Sequence, residues 1–215
     1  MKIVLFGASG MVGQGVLREC LRDDDVTEIV SLVRRPTDSQ HAKLREIVHS
    51  DFTDFTGVDF AGVDFTGVDA CLFCLGVSAV GMKEDAYRRI TYDFTLAAAR
   101  ALTPATFIYV SGAGTSATGR AMWARVKGET ENALLALADN TYMFRPGFIM
   151  PMYGTASKTG LYRVIYAIAR PLNPILIRMP KYATSAERLS RAMLRVAKHG
   201  YSKRILESVN INAAS

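Results

Sequence analysis

Apolar and polar positions along the chain alternate between two periods. "KIVLF" (2–6) is a short β-rich run, and Met11, Val12, Val16, Leu17 and Leu21 follow at the three-to-four spacing of a helix. "VTEIVSLV" (26–33) then returns to a strand pattern, so the chain opens with one strand–helix–strand unit, for which a right-handed crossover is expected. The rhythm continues with strands at "EIVHS" (46–50) and "ACLFCLG" (70–76), a helix at "DAYRRITYDFTLAAARAL" (85–102) and a fifth strand at "TFIYVSG" (106–112). A helix at "AMWARVKGETENALLAL" (121–137) and a sixth strand at "TYMFRP" (141–146) complete it. Strands alternating with helices predict an α/β fold, a doubly wound parallel sheet.

After Pro146 the rhythm breaks. Two helical patterns, residues 160–176 and 185–200, are joined by a Pro-rich corner. The expectation is one domain, with residues 1–147 as the sheet core and residues 148–215 as C-terminal helices over the pocket, because ligands of such sheets sit at the carboxyl ends of the strands. Leu161, Val164, Ile165, Ile168 and Leu172 share one helical face, and Arg163 and Arg170 share another. This amphipathic pattern is most often a helix packed on its own domain; weak contact with an anionic membrane surface or a homodimer face are the other readings.

Between the third and fourth strands, "DFTGVDFAGVDFTGVD" (54–69) repeats D-F-x-G-V three times. Phe55, Phe60 and Phe65, five apart, line up on neither a helix nor a strand, and three short copies cannot build a solenoid. The segment reads as a duplicated loop without chemistry.

Composition narrows the picture. At 215 residues, with 49% hydrophobic and 21% charged residues, the chain has material for one full core. The formal charge of +6 favours anionic ligands. No basic run interleaved with aromatics appears, so sequence-specific nucleic-acid binding is not expected. The five-residue apolar run before Gly7 is too short for a signal core, and the apolar stretch 161–177 is broken by Arg163, Arg170, Pro171 and Pro174. A soluble, cytoplasmic protein follows as the expectation. The three cysteines fit a reducing compartment. Cys71 and Cys74 form C-x-x-C, but on a strand residues three apart face opposite ways, so they read as packed thiols and not as a disulfide or metal pair. His41, His49 and His199 are too scattered for a metal site.

Chemistry concentrates at a few places. Gly7, Gly10 and Gly13 in "FGASGMVGQG" lie between the first strand and first helix. There, glycines permit a sharp turn and let backbone amides approach a diphosphate at a helix N-terminus. Ser9 and Met11 lie in the same loop. About 20 residues on, an NAD site carries an acid for the ribose hydroxyls. This chain has "SLVRRP", and Arg34 and Arg35 can pair with a 2′-phosphate as planar forks, which favours NADP over NAD. A solvated arginine pair is the plainer alternative.

With the glycine loop, "VSGAG", "VKGETE" and "RPG" in order, the chain resembles the short-chain dehydrogenase/reductase superfamily, near its atypical, Tat-interacting-protein-like NAD(P)-binding members. The resemblance covers nearly the whole chain. It implies a diphosphate loop at Gly7, Gly10 and Gly13, an adenine contact at Asp51, and a strand end beneath the cofactor at Leu75 and Gly76. It further implies a catalytic Ser111, a Lys127 that also bonds the nicotinamide ribose, and a turn at Arg145, Pro146 and Gly147 beside the cofactor. Asp51 could equally be a turn residue.

The chain departs from that pattern at Trp123, which stands where the superfamily places its catalytic Tyr. An indole N–H donates a hydrogen bond but does not ionise usefully, so Trp123 can orient a substrate and cannot be its acid. The proton would then come from Ser111 through a water, or from Tyr153, just beyond the sixth strand, which could instead pack the tail. Lys127 has Glu131 four residues on, so a solvated helical ion pair is its alternative reading. Two functions follow: an NADP-dependent oxidoreductase or epimerase acting on a small carbonyl substrate, or a catalytically inactive NADP(H)-binding sensor or scaffold.

Overall fold

The computed structural model describes residues 1–37, 39–49, 52, 67–103, 105–150 and 179–215. Asp51, Tyr153, nearly all of the D-F-x-G-V repeat and the 160–176 helical pattern lie outside the described residues.

Seven parallel strands form the central sheet: β1 (Lys2–Phe6), β2 (Glu28–Val33), β3 (Leu44–Val48), β4 (Ala70–Phe73), β5 (Thr106–Val110), β6 (Thr141–Arg145) and β9 (Ile205–Glu207). Their order is β3-β2-β1-β4-β5-β6-β9. The chain leaves β1 in one direction for β2 and β3 and in the other for β4 to β6. A crevice therefore opens between β1 and β4, at the carboxyl edge. A small parallel pair, β7 (Phe148–Met150) and β8 (Ala183–Ser185), stands apart.

The alternation within β1 explains the two cores. Ile3 and Leu5 point to one face, where they meet Val16 and Cys20 of α1 (Met11–Arg22), Leu189 and Met193 of α5 (Ala186–His199) and Ile211 of α6 (Ser208–Ala214). Val4 and Phe6 point to the other, against Leu96 of α3 (Phe94–Ala101) and Leu134 of α4 (Met122–Leu137). The expected helix over 85–102 forms as α2 (Glu84–Arg88), a π-helical turn (Arg89–Asp93) and α3. Within it the Thr95 hydroxyl donates to the Thr91 carbonyl at 2.7 Å, the back-bond common to helical threonines.

The expected placing of the tail changes in part. Helix α5 does not lie over the carboxyl edge; it packs on α1, against one face of the sheet. The approach is close because residue 15 is glycine: an added Cβ there would stand 2.8 Å from Ser190 Oγ. Lys198 donates to Asp23 and Asp25 at 2.6 Å each, and Arg191 reaches Glu19 at 3.2 Å, so the same seam is charge-matched at its rim. A strongly amphipathic helix takes the largest apolar face on offer.

The cysteines sit as the strand alternation requires. Cys71 belongs to one core and Cys74 packs against the other, and all three thiols are free. Burial, reinforced by Asp23 and Glu19, pushes the Cys20 thiol up to about 12. Burial also holds Cys71 and Cys74 well above the usual thiol range.

The α1–α5 seam gives a direct stability test. Leu189 is 0% exposed, so Leu189→Ala should cost about 2–5 kcal/mol in urea unfolding. A cost below about 1 kcal/mol would mean that α5 is not seated on this core.

Candidate functional site

The loop after β1 is built from contacts that exclude side chains. Gly7 has φ +78, and a Cβ there would lie 2.7 Å from the backbone of Cys74 and Leu75 at the end of β4. A Cβ on Gly13 would lie 2.0 Å from the Gly7 carbonyl oxygen. Gly10 is the N-cap of α1, and its N–H donates to the Gly7 carbonyl at 2.9 Å. It offers no side chain to the amides of the helix's first turn, Met11 among them. An anion can therefore meet those amides directly. Gly76 borders open space, so the floor next to Leu75 is clear. These features, at the crevice between β1 and β4, fit the diphosphate of a dinucleotide.

At the end of β2, Ser9, Val33, Arg34, Arg35, Pro36 and Thr37 line a cleft of about 580 Å³. Both arginines are exposed, and among the described residues neither has a carboxylate partner.

The second half of the site lies at the end of β5. Lys127 Nζ donates to the Ser111 backbone carbonyl. The Ser111 hydroxyl donates to Glu131 Oε1 at 2.5 Å, with the Phe144 carbonyl 3.2 Å away. Glu131, 1% exposed, also takes the guanidinium of Arg145: Nε lies 3.0 and 3.1 Å from its two oxygens, and Nη2 bonds Oε2. Glu131 holds the Arg145 guanidinium above its ordinary range, and Arg145 reaches Glu207 of β9 at 3.3 Å as well.

This corrects the helical ion-pair alternative for Lys127. Glu131 turns to Arg145 and Ser111, while Lys127 bonds the sheet edge. Burial lowers the Lys127 ammonium from 10.5 to about 8, opposed by the charge of Glu131.

Trp123 stands one helical turn before Lys127 on α4. Its Cη2 lies 3.5 Å from where a Cβ on Gly114 would sit, so the indole packs on the loop between β5 and α4. That loop is docked at Gly128, where a Cβ would come within 2.1 Å of the Ala117 amide nitrogen. Pro146 accepts from the Ala113 amide at 2.9 Å. Gly147 donates to Ser208 Oγ at 2.8 Å, and a Cβ on it would lie 2.2 Å from the Tyr182 carbonyl oxygen. Gly128 escapes the sequence reading and Glu131 enters it only as a partner of Lys127, although both stand within the "VKGETE" stretch. Among the described residues no group of His, Cys, Asp and Glu could hold a metal, and no helix is long and apolar enough to cross a membrane.

A parallel sheet with this crevice and glycine loop defines an NAD-binding Rossmann protein of the short-chain dehydrogenase/reductase kind. Residues 3–138 match the model of the NAD dependent epimerase/dehydratase family, and the chain belongs to that family. Similar curated proteins include fmp52, mitochondrial, of Emericella nidulans, 26% identical over 68% of this chain and 66% of that protein. Another is FMP52, mitochondrial, of Candida albicans, 24% identical over 70% of this chain and 68% of that protein. The chain thus spans about two thirds of the length of these relatives.

Among solved structures, the PhqB reductase domain from Penicillium fellutanum aligns over 95% of this chain and 65% of that one, with TM-score 0.70 and 14% identity. MoeE5 in complex with UDP-glucose and NAD aligns over 95% and 74%, with TM-score 0.68 and 16% identity. These two likenesses speak for the fold. The cytoplasmic expectation does not stand, because the matching fungal relatives are named as mitochondrial proteins.

The depressed Lys127 value has a measurable consequence. Between about 8 and 10.5 the unfolded chain binds more protons at this residue than the folded one, so its penalty on folding is largest below about 8 and fades as pH rises. Lys127→Met should therefore resist urea better than wild type near pH 7, with the gap closing by about pH 10. A gap that does not change with pH would show that burial does not hold this amine down.

Proposed function

We propose that the chain is an NADP(H)-dependent oxidoreductase or epimerase-like enzyme acting on a small carbonyl substrate, with Lys127 in place of the missing tyrosine as its acid. The observation that carries the reading is the glycine cradle beside the Ser111–Lys127 contact, at the carboxyl edge of one sheet. Gly7, Ser9, Gly10, Met11 and Gly13 would hold the diphosphate and Arg34 and Arg35 the 2′-phosphate. Leu75, Gly76, Pro146 and Gly147 would flank the cofactor, with Asp51 at the adenine and Lys127 at the ribose. The cofactor supplies the hydride.

The proton assignment follows from donor counting. Ser111 has one proton, and it is directed to Glu131. Trp123 does not ionise. Lys127 spends one N–H on the Ser111 carbonyl and has two more. With an acidity near 8, its ammonium can pass a proton to a carbonyl oxygen near neutral pH and recover it from water.

Trp123 is also the observation that favours a second reading, a cofactor-binding sensor or scaffold without turnover. Thermal shift with NADPH, NADP, NADH and NAD, followed by NADPH oxidation across a carbonyl panel, tests both. The enzyme reading expects a raised midpoint with NADPH, turnover of at least one carbonyl, and its loss in Lys127→Ala. Trp123→Tyr should raise turnover if the site lacks only the usual acid. Binding without turnover in either chain favours the sensor, and no shift with any nucleotide overturns both.

A further inference from the structure

The loop that carries Arg34 and Arg35 is held from the neighbouring strand by one acid. Thr37 donates its backbone N–H to Glu46 Oε2 at 2.8 Å and its hydroxyl to Glu46 Oε1 at 2.6 Å. The orientation of that hydroxyl is set from the other side, because the Ser39 amide donates to Thr37 Oγ1 at 3.3 Å. Glu46 lies on β3, paired in register with Ser31 of β2, so the clasp joins the loop after β2 to a regular strand.

Both carboxylate oxygens are thus engaged by a neutral residue. Thr37 shares the 580 Å³ cleft with Arg34, Arg35 and Ser9, so Glu46 is bonded directly to a residue that lines the cleft. A carboxylate with a free oxygen in that place could pair with either guanidinium and oppose an incoming anion. With its oxygens bound to Thr37 it does neither, and the arginines stay open to a phosphate.

We infer that Thr37 and Glu46 form a specificity clasp: Thr37 occupies the Glu46 carboxylate, which fixes the arginine loop and leaves Arg34 and Arg35 available to a phosphomonoester, the 2′-phosphate of NADP(H). Thr37 and Glu46 are positioning residues, acting through the arginines. The inference rests on the NADP reading above, because it concerns the group that separates NADP from NAD.

The test is direct binding of NADPH and NADH, followed by calorimetry, and needs no carbonyl substrate. Wild type should prefer NADPH, and Arg34→Ala with Arg35→Ala should remove the preference. Thr37→Val keeps the backbone bond and the side-chain volume but frees one carboxylate oxygen. It should weaken NADPH roughly fivefold, the scale of one exposed ion pair, and leave NADH within about twofold. Adding Glu46→Gln to Thr37→Val removes the competing charge and should restore NADPH affinity.

That restoration separates the clasp from a purely structural role, which would weaken both nucleotides alike and would not be rescued. An unchanged NADPH-to-NADH ratio in Thr37→Val, or no rescue in the double variant, overturns the clasp while the NADP reading stands. Wild type without a preference for NADPH overturns that reading and the clasp with it.

Discussion

The carboxylate of Glu131 is the interaction on which the Ser111–Lys127 end of this site depends. It is buried on α4, and it collects the Ser111 hydroxyl from the end of β5 and the Arg145 guanidinium from the end of β6. Arg145 passes the tie on to Glu207 of β9. A carboxylate withdrawn from water costs several kcal/mol unless it is paired and its lone pairs are filled. The arrangement is therefore tolerable only in one register of α4 against the sheet. That register places Lys127, one helical turn earlier, against the Ser111 carbonyl. Breaking a pair of this kind from one side is more damaging than never having built it, because the partner is left charged and half-buried. The pair is best understood as setting geometry, with its net stability a secondary matter.

The cofactor end is organised by steric exclusion instead of charge. Gly7 and Gly13 are fixed by distances that forbid a Cβ: one lies against the backbone that leaves β4, the other against the Gly7 carbonyl itself. The first turn of α1 is pressed onto the crevice between β1 and β4 with its amides uncapped. The two ends meet at one edge because all seven strands of the main sheet run parallel. Charge works at one end and close backbone packing at the other, and the fold supplies the alignment.

The central architecture was legible in the chain because its signals are local. β1, β2, β4, β5 and β6 are largely buried runs of four to six residues, β3 is an edge strand of five, and α1, α4 and α5 carry clear helical periods. The elements that escaped, β7, β8, β9 and α6, are three-residue strands and a seven-residue helix, too short for either period to register. They exist because of partners far along the chain, as when β9 pairs with β6. The placing of α5 escaped for a related reason: its pattern declares an apolar face, and only the complementary surface around Gly15 says where that face goes.

The pairing of Lys127 and Glu131 shows the same limit on a smaller scale. Lys127 and Glu131 are four apart on a helix, and local rules make them an ion pair. A guanidinium from another strand offers the carboxylate a bidentate match that an ammonium cannot, and Arg145 takes it. The lysine, left to bond a neutral carbonyl in a desolvated place, holds its proton less tightly than an exposed lysine would. The Ser111 proton is committed by its bond to Glu131, and the Lys127 proton is loosened by burial, which the charge of Glu131 offsets only in part. Burial of an ammonium that has no carboxylate of its own thus decides its acidity, and the pairing of Glu131 with Arg145 decides that it has none.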